Sequence, residues 1–282
     1  GRDDASGAAV CIKVASKGGQ LYNDFVVWEN LLATGGWPGL PVLHARIDDL
    51  GPDGREEALV SELCGPSLSS CLNRRADERL STAEACAVGV EMLRHLRLVH
   101  AAGYVHRDVT PANFLLPRQP PREGAPLLYA IDFGIAQRVP CSVPKQDASG
   151  TLRFATPYLG CAPLSPRDDL LALGFVLLAC LAGSLPWDEE ARRQCPKPAE
   201  ASKQRAAVAQ AKLDLLHKGT SRRLRELLAP QQATLLAAYF AVLEGVEPSD
   251  PPPYDLLHDE LARAGHAAVG RRGTFPPSAL EL

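Results

Sequence analysis

A chain of 282 residues with 46% hydrophobic and 22% charged side chains has the make-up of an ordinary globular protein, large enough for one domain or for two small lobes around a shared core. Its formal net charge of -3 argues against a nucleic-acid binder or a membrane-surface protein, both of which carry a basic excess. The eight cysteines include no CxxC pair and several lie in apolar runs, which reads as reduced thiols packed as small hydrophobes rather than as a disulfide framework.

The first ten residues are polar and acidic and lack the shape of a signal peptide. AAVCIKVAS (8–16) predicts a strand with one lysine, Lys13, at its centre, and LYNDFVVWENLLA (21–33) predicts a helix closed by Gly-Gly and a proline. LPVLHARI (40–47) and REEALVSEL (55–63) read as strands joined by the turn residues GPDG. The pattern then turns helical. Ser81 to Glu84 spells a capping box, and apolar residues at 88, 92, 93, 96 and 99 predict a helix over about 82–102 that Gly103 ends.

VHRDVTPANFLL follows, then a Pro-rich insert (117–126) read as a surface loop, and a short strand, LLYAI, running into Asp132-Phe133-Gly134. Residues 138–167 read as loop, and helices dominate from 168, with breaks expected at a polar stretch (188–205) and at SDPPP (249–253). The longest apolar stretch, Leu170 to Leu185, is shorter than the ~20 residues a bilayer demands, so it reads as a buried core helix with no membrane role. An intracellular setting, cytoplasmic or nuclear, follows.

Three elements recur in a set order: a lysine within a strand, HRDxxxxN and DFG. Phosphoryl transfer asks for positioning and charge neutralisation more than for covalent chemistry. A strand lysine can hold nucleotide phosphates, an Asp on a rigid loop can take the proton of an incoming hydroxyl, and an Asn with a second Asp can hold Mg²⁺, a hard cation that prefers oxygen ligands. With CGPSLSSCL (64–72), GTLRF (150–154), RDDLLALGFVL (167–177) and GSLPW (183–187), the chain resembles the eukaryotic protein kinases, and within them the casein kinase 1 family, from about residue 8 to about 260.

The resemblance implies an α+β, bilobal fold. A small, mostly-β N-lobe would span 1–63, a larger α-helical C-lobe 64–265 and a tail 266–282. It implies ATP and Mg²⁺ as nucleotide and metal, and Ser/Thr of proteins as acceptors. Lys13 would pair with the nucleotide phosphates, and His106 and Arg107 would brace the catalytic loop. Asp108 would be the catalytic base, Asn113 and Asp132 the Mg²⁺ ligands, and Asp169 a structural anchor. Glu62 and Cys64 would carry adenine through hinge backbone groups. Ser61, at the gatekeeper position, would leave a roomier back pocket. Glu29 is taken as the helix partner of Lys13, although Asp24 fits the apolar spacing of that helix slightly better.

Arg153, with Lys212 as its partner, would bind an anion and favour acidic or already phosphorylated protein substrates. Ser142, Ser149 and Thr151 fall in the activation loop, with no switch expected there. A monomer without nucleic-acid or membrane partners is expected.

Two departures matter most. Thr110 replaces the lysine of the family's HRDxKPxN. Losing that charge-assisted hydrogen bond is worth roughly 1.5–3 kcal/mol, or very roughly 10–200-fold in rate. Impairment or retuning is therefore expected rather than loss of activity. The two strands and glycine-rich loop that belong before the Lys13 strand are absent from this sequence, so the N-lobe is expected to be a piece of a longer one, with a truly truncated lobe as the alternative. The alternative reading is an impaired pseudokinase that serves as a protein-binding module.

Overall fold

The computed structural model describes residues 1, 9–35, 37–119, 125–139, 149–160, 164–217 and 220–269. The lysine-bearing run forms β1 (Val10–Ser16) and the helix after it is α1 (Gln20–Ala33). β2 (Leu43–Leu50) and β3 (Glu56–Glu62) complete an antiparallel sheet in the order β1-β3-β2, in which Lys13 stands opposite Leu59. β2 begins at Leu43 rather than at 40: the Leu40 N–H closes a turn onto the Trp37 carbonyl (3.2 Å), and Pro41 has no N–H to give a ladder. One face of α1 buries Leu21, Asp24, Val27, Trp28 and Leu31.

α2 (Leu68–Leu72) starts at Ser67, whose hydroxyl accepts the Ser70 N–H at 3.1 Å. The capping box expected at α3 (Thr82–Ala101) is present in both directions: Glu84 N–H to Ser81 Oγ at 3.3 Å and Ser81 N–H to Glu84 Oε2 at 2.7 Å. Four two-residue strands follow. β4 (Tyr104–Val105) pairs with β7 (Gln137–Arg138), and β5 (Phe114–Leu115) with β6 (Tyr129–Ala130).

α4 (Pro166–Ala182) is apolar all round and buried from Asp168 onward, so it forms the axis of the helical part. Around it stand α5 (Asp188–Arg192), α6 (Pro198–His217), α7 (Thr220–Leu227), α8 (Pro230–Leu243) and α9 (Tyr254–Val269). The polar stretch 188–205, expected to break the helices, holds α5 and the start of α6. α6 buries only Gln204, Val208, Lys212 and Leu215, and a stripe that narrow leaves its first turns polar. Among the described residues no helix is long and apolar enough to cross a membrane. Parts of the Pro-rich insert, Ser142, and residues 270–282 of the tail lie outside the described residues.

The segment after α1 is tied to α3 by one buried imidazole. Trp37 Nε1 donates to His95 Nδ1 (2.8 Å), so the ring proton sits on Nε2 and is donated to the Leu128 carbonyl (2.8 Å). A side chain at Gly39 would meet that ring at 1.8 Å, which is why the loop needs a glycine there. Burial pushes the His95 pKa down from 6.5 to about 3.

Because the folded pKa is depressed, the His95 contribution is complete above about pH 6.5 and fades as pH falls toward 3. At about 1.4 kcal/mol per unit it removes about 2 kcal/mol of stability between pH 7 and pH 5. In urea unfolding, His95→Gln is expected to be less stable than wild type at pH 7 yet to decline less steeply toward pH 5. Equal slopes would assign the acid sensitivity to other groups.

Candidate active site

β1 and α1 deliver the first charged cluster. Lys13 Nζ lies 2.9 Å from Asp24 Oδ2 and 2.7 Å from Asp132 Oδ1. The other Asp24 oxygen accepts the Phe133 N–H at 2.8 Å, and the residue is only 2% exposed. The expected partner, Glu29, is exposed and takes no part. It lies five residues further along α1, about 140° around the helix, so it cannot face β1 while Trp28 and Leu31 face the core. The helix period decides the partner, against the longer side chain.

Burial pulls the Lys13 pKa down, but Asp24 and Asp132 outweigh it and the value is raised, so the ammonium is secure. Burial pushes Asp24 up against the pull of Lys13; with an ammonium and an N–H on its two oxygens, the carboxylate is the form that fits.

The second cluster is built on α4. Asp169, in its first turn, accepts the N–H groups of His106 (2.7 Å) and Arg107 (2.9 Å) and is met by His100 Nε2 at 2.7 Å. Burial pushes its pKa up, but these bonds, led by His100, prevail and hold it below the usual carboxylate range. Asp169 thus joins the first turn of α4 to the backbone at His106 and Arg107. Arg107 has φ +70, a left-handed backbone that a non-glycine residue keeps only when its surroundings hold it. Its guanidinium reaches the Ile135 carbonyl at 3.2 Å, and the His106 ring packs 5.1 Å from Phe133 and 6.3 Å from Phe114.

On the loop so held, Asn113 Nδ2 donates to the Asp108 carboxylate and to its backbone carbonyl, both at 2.9 Å. The other Asp108 oxygen accepts the Thr151 N–H at 2.9 Å, which draws the GTLRF segment onto the Asp108 loop. The β5–β6 pair sets Asn113 beside Ile131, with Ile131 N–H on Asn113 O at 3.0 Å, so Asp132 follows directly. Asn113 commits its NH₂ to Asp108 and keeps its carbonyl oxygen; Asp132 commits Oδ1 to Lys13 and keeps Oδ2 on a side chain 42% exposed. Two oxygen donors next to a cleft fit a hard divalent cation whose shell is completed by water and phosphate.

That cleft, of about 200 Å³, is lined by Cys11, Lys13, Ser61, Glu62, Cys64 and Asp132 among others, so the expected hinge residues border it. Two segments press together there: a side chain at Gly65 would come within 2.6 Å of the Pro117 carbonyl. Burial pushes the Cys64 thiol up to about 12, so it is an apolar wall and not a nucleophile.

The anion pair does not assemble. Arg153 is held by Asp188 through two bonds, Nε to Oδ1 at 2.6 Å and Nη2 to Oδ2 at 2.8 Å. Lys212 is 1% exposed and donates to the carbonyls of Leu152 (2.7 Å) and Ala155 (2.6 Å), with the Phe175 and Trp187 rings 5.3 Å away. Burial pulls its pKa down to about 7, while the carbonyls and ring faces favour the ammonium. It ties the GTLRF backbone to α6 and cannot meet a substrate. The signal was in its neighbours: Val208 and Leu215, four before and three after, mark the same buried stripe.

Thr110 is buried and lines a second groove of about 280 Å³ with Thr151, Arg153 and Arg192. Asn23, His100 and Asp188 belong to the site's support and were not singled out from the sequence, since polar residues on helices carry no local signature.

Residues 47–232 match the model of the protein kinase domain. A probable serine/threonine-protein kinase of Dictyostelium discoideum is 35% identical over 138 residues, covering 46% of this chain and 27% of that protein. Casein kinase I homolog 2 of Schizosaccharomyces pombe is 32% identical over 183 residues, covering 61% of this chain and 40% of that protein. The chain therefore spans less than half the length of these relatives.

Asp24→Asn is expected to weaken MgATP binding about tenfold, the worth of a charge-assisted bond, while Glu29→Gln leaves it unchanged. Isothermal titration of both variants checks this; the reverse order would reinstate Glu29.

Proposed function

Since the chain belongs to the protein kinase family, we propose that it transfers the γ-phosphate of ATP to serine or threonine of protein substrates, as a kinase of casein kinase 1 type. The observation that carries this reading is Lys13 bridging Asp24 and Asp132 at 2.9 and 2.7 Å, beside an Asp108–Asn113 pair on an anchored loop. The casein kinase 1 signatures support the finer assignment through the packing they perform. Gly65 fits where no side chain does, Gly174 lies against Phe240, and Trp187 Nε1 donates to the Arg153 carbonyl at 2.8 Å. The reading carries with it an N-lobe over 1–63, a C-lobe over 64–265, a monomer and an intracellular setting.

In this reading Lys13 holds the nucleotide phosphates and hinge backbone at Glu62 and Cys64 holds adenine. Asp108 receives the proton of the incoming hydroxyl; its carboxylate has about four acceptor sites, so the Asn113 and Thr151 bonds leave room for it. Asn113 and Asp132 hold Mg²⁺, which when bound neutralises charge on the phosphates. Thr110 supplies no charge, so the chemistry is slower than with a lysine there.

The test is Mg²⁺-dependent transfer of labelled phosphate to casein by the full-length protein, abolished by Asp132→Asn and lowered at least about a hundredfold by Asp108→Asn, as expected for loss of a general base. Nucleotide binding without any transfer would overturn the reading and leave a binding module.

With Arg153 taken by Asp188 and Lys212 buried, selection of an acidic or phosphorylated segment falls to Arg192, whose side chain is 64% exposed but lies 3.5 Å from the same Asp188, and to Arg153, both once released. Asp188→Asn is expected to raise the preference for a phosphorylated over an unphosphorylated peptide about tenfold in kcat/KM. An unchanged ratio would take Arg153 out of substrate selection.

A further inference from the structure

We infer that Asn23 is a positioning residue: with Asp24 it clamps the Asp132-Phe133-Gly134 turn to helix α1, so that the metal-ligating carboxylate is set by the helix and not by the turn alone. The inference rests on the kinase reading for the purpose of the turn, and on contacts within the chain for the clamp itself.

The Asn23 side-chain NH₂ lies 3.0 Å from the Phe133 carbonyl, 3.1 Å from that of Gly134 and 3.0 Å from that of Ala136. An amide has two hydrogens, so three acceptors at one distance mean a shared bond and a nitrogen centred in a cup of carbonyls. Asp24, the next residue, takes the Phe133 N–H at 2.8 Å. Both backbone polar groups of Phe133 are therefore held by consecutive residues of α1.

The packing agrees. A side chain at Gly134 would meet Gln20 Cβ at 3.0 Å and the Gln20 carbonyl at 3.2 Å, so the first turn of α1 lies directly on the turn.

The turn needs such a clamp. Asp132 has φ +64, a left-handed conformation that a residue with a side chain holds only when its surroundings over-determine it. Its own bonds are few: Oδ1 to Lys13 at 2.7 Å and a long contact from the Gly134 N–H at 3.4 Å. The turn's one further internal bond runs from Ala136 N–H to Phe133 O at 3.0 Å. Fixing φ at Asp132 fixes the direction of its Cα–Cβ bond, and the Oδ1 contacts with Lys13 and the Gly134 N–H then orient the carboxylate and with it Oδ2. The donor sense is also specific, since every partner of the Asn23 nitrogen is an acceptor. An aspartate of the same shape would set a carboxylate against three carbonyl oxygens.

The test compares Asn23→Ala, Asn23→Asp and Asn23→Gln with wild type in the full-length protein. The readout is ADP affinity in Mg²⁺ divided by ADP affinity in EDTA. Adenosine affinity, which needs neither metal nor phosphate contacts, reports an intact fold and cleft. Wild type is expected to gain at least about tenfold from Mg²⁺, Ala and Asp to lose most of that gain with adenosine binding unchanged, and Gln, which keeps the donor, to recover part of it. A merely structural role would lower adenosine and ADP binding together. Equal Mg²⁺ gains in wild type and Asn23→Ala would overturn the inference, as would no Mg²⁺ gain in wild type. Casein phosphorylation measured in parallel separates the two readings: a clamp-dependent Mg²⁺ gain without transfer would sink the kinase assignment and leave the clamp standing.

Discussion

An ammonium that must stay charged in a half-buried place has to find carboxylates, and Lys13 finds two. Asp24 arrives from α1 and Asp132 from the turn after β6, so a strand, a helix and a loop are drawn to one point by one charge. Removing Lys13 would strand Asp24, which is buried and has little water to replace its partner, whereas Asp132 and Lys13 itself reach solvent. The cleft therefore exists only when the sheet, α1 and the turn are seated together. The positive φ at Asp132 is tolerable under the same condition.

The helical part answers with a second buried charge. Asp169 collects two backbone N–H groups and an imidazole, and His100 is itself met by Tyr254 at 2.7 Å through its other nitrogen. A line of bonds thus runs from α9 through α3 to the first turn of α4 and on to the loop that carries Asp108. Since α4 is apolar on every side, its terminus is the natural place for a rigid anchor, and the loop inherits that rigidity. The two clusters meet where His106 packs on Phe133, the residue that Asp24 also holds.

On the substrate side the charges are already spoken for. Asp188 neutralises Arg153 with a two-pronged pair, and Lys212 props the GTLRF backbone from beneath between aromatic faces. Both cations shape the segment that carries Thr151 to Asp108, which makes them architectural before they are anything else. A polar surface near a cleft cannot be converted into a binding preference by counting lysines and arginines; their existing partners have to be subtracted first.

Much was legible in the linear chain, because it was written in local physics. The strand around Lys13, the capping box at Ser81 and Glu84, the apolar run 170–185, and the Asp108, Asn113 and Asp132 constellation all follow from spacing within a few residues or from motifs whose members keep a set order. Three decisions were made only on folding. Asp24 displaced Glu29 because a helix face is chosen by the core it packs on, not by side-chain reach. Lys212 went inside because carbonyls from a segment 57–60 residues away were there to receive it. Asn23 acquired its three carbonyls across a separation of 110 residues and more. Periodicity records what a residue's neighbours in sequence require of it; which distant backbone group will need a donor is settled only when the chain has closed on itself.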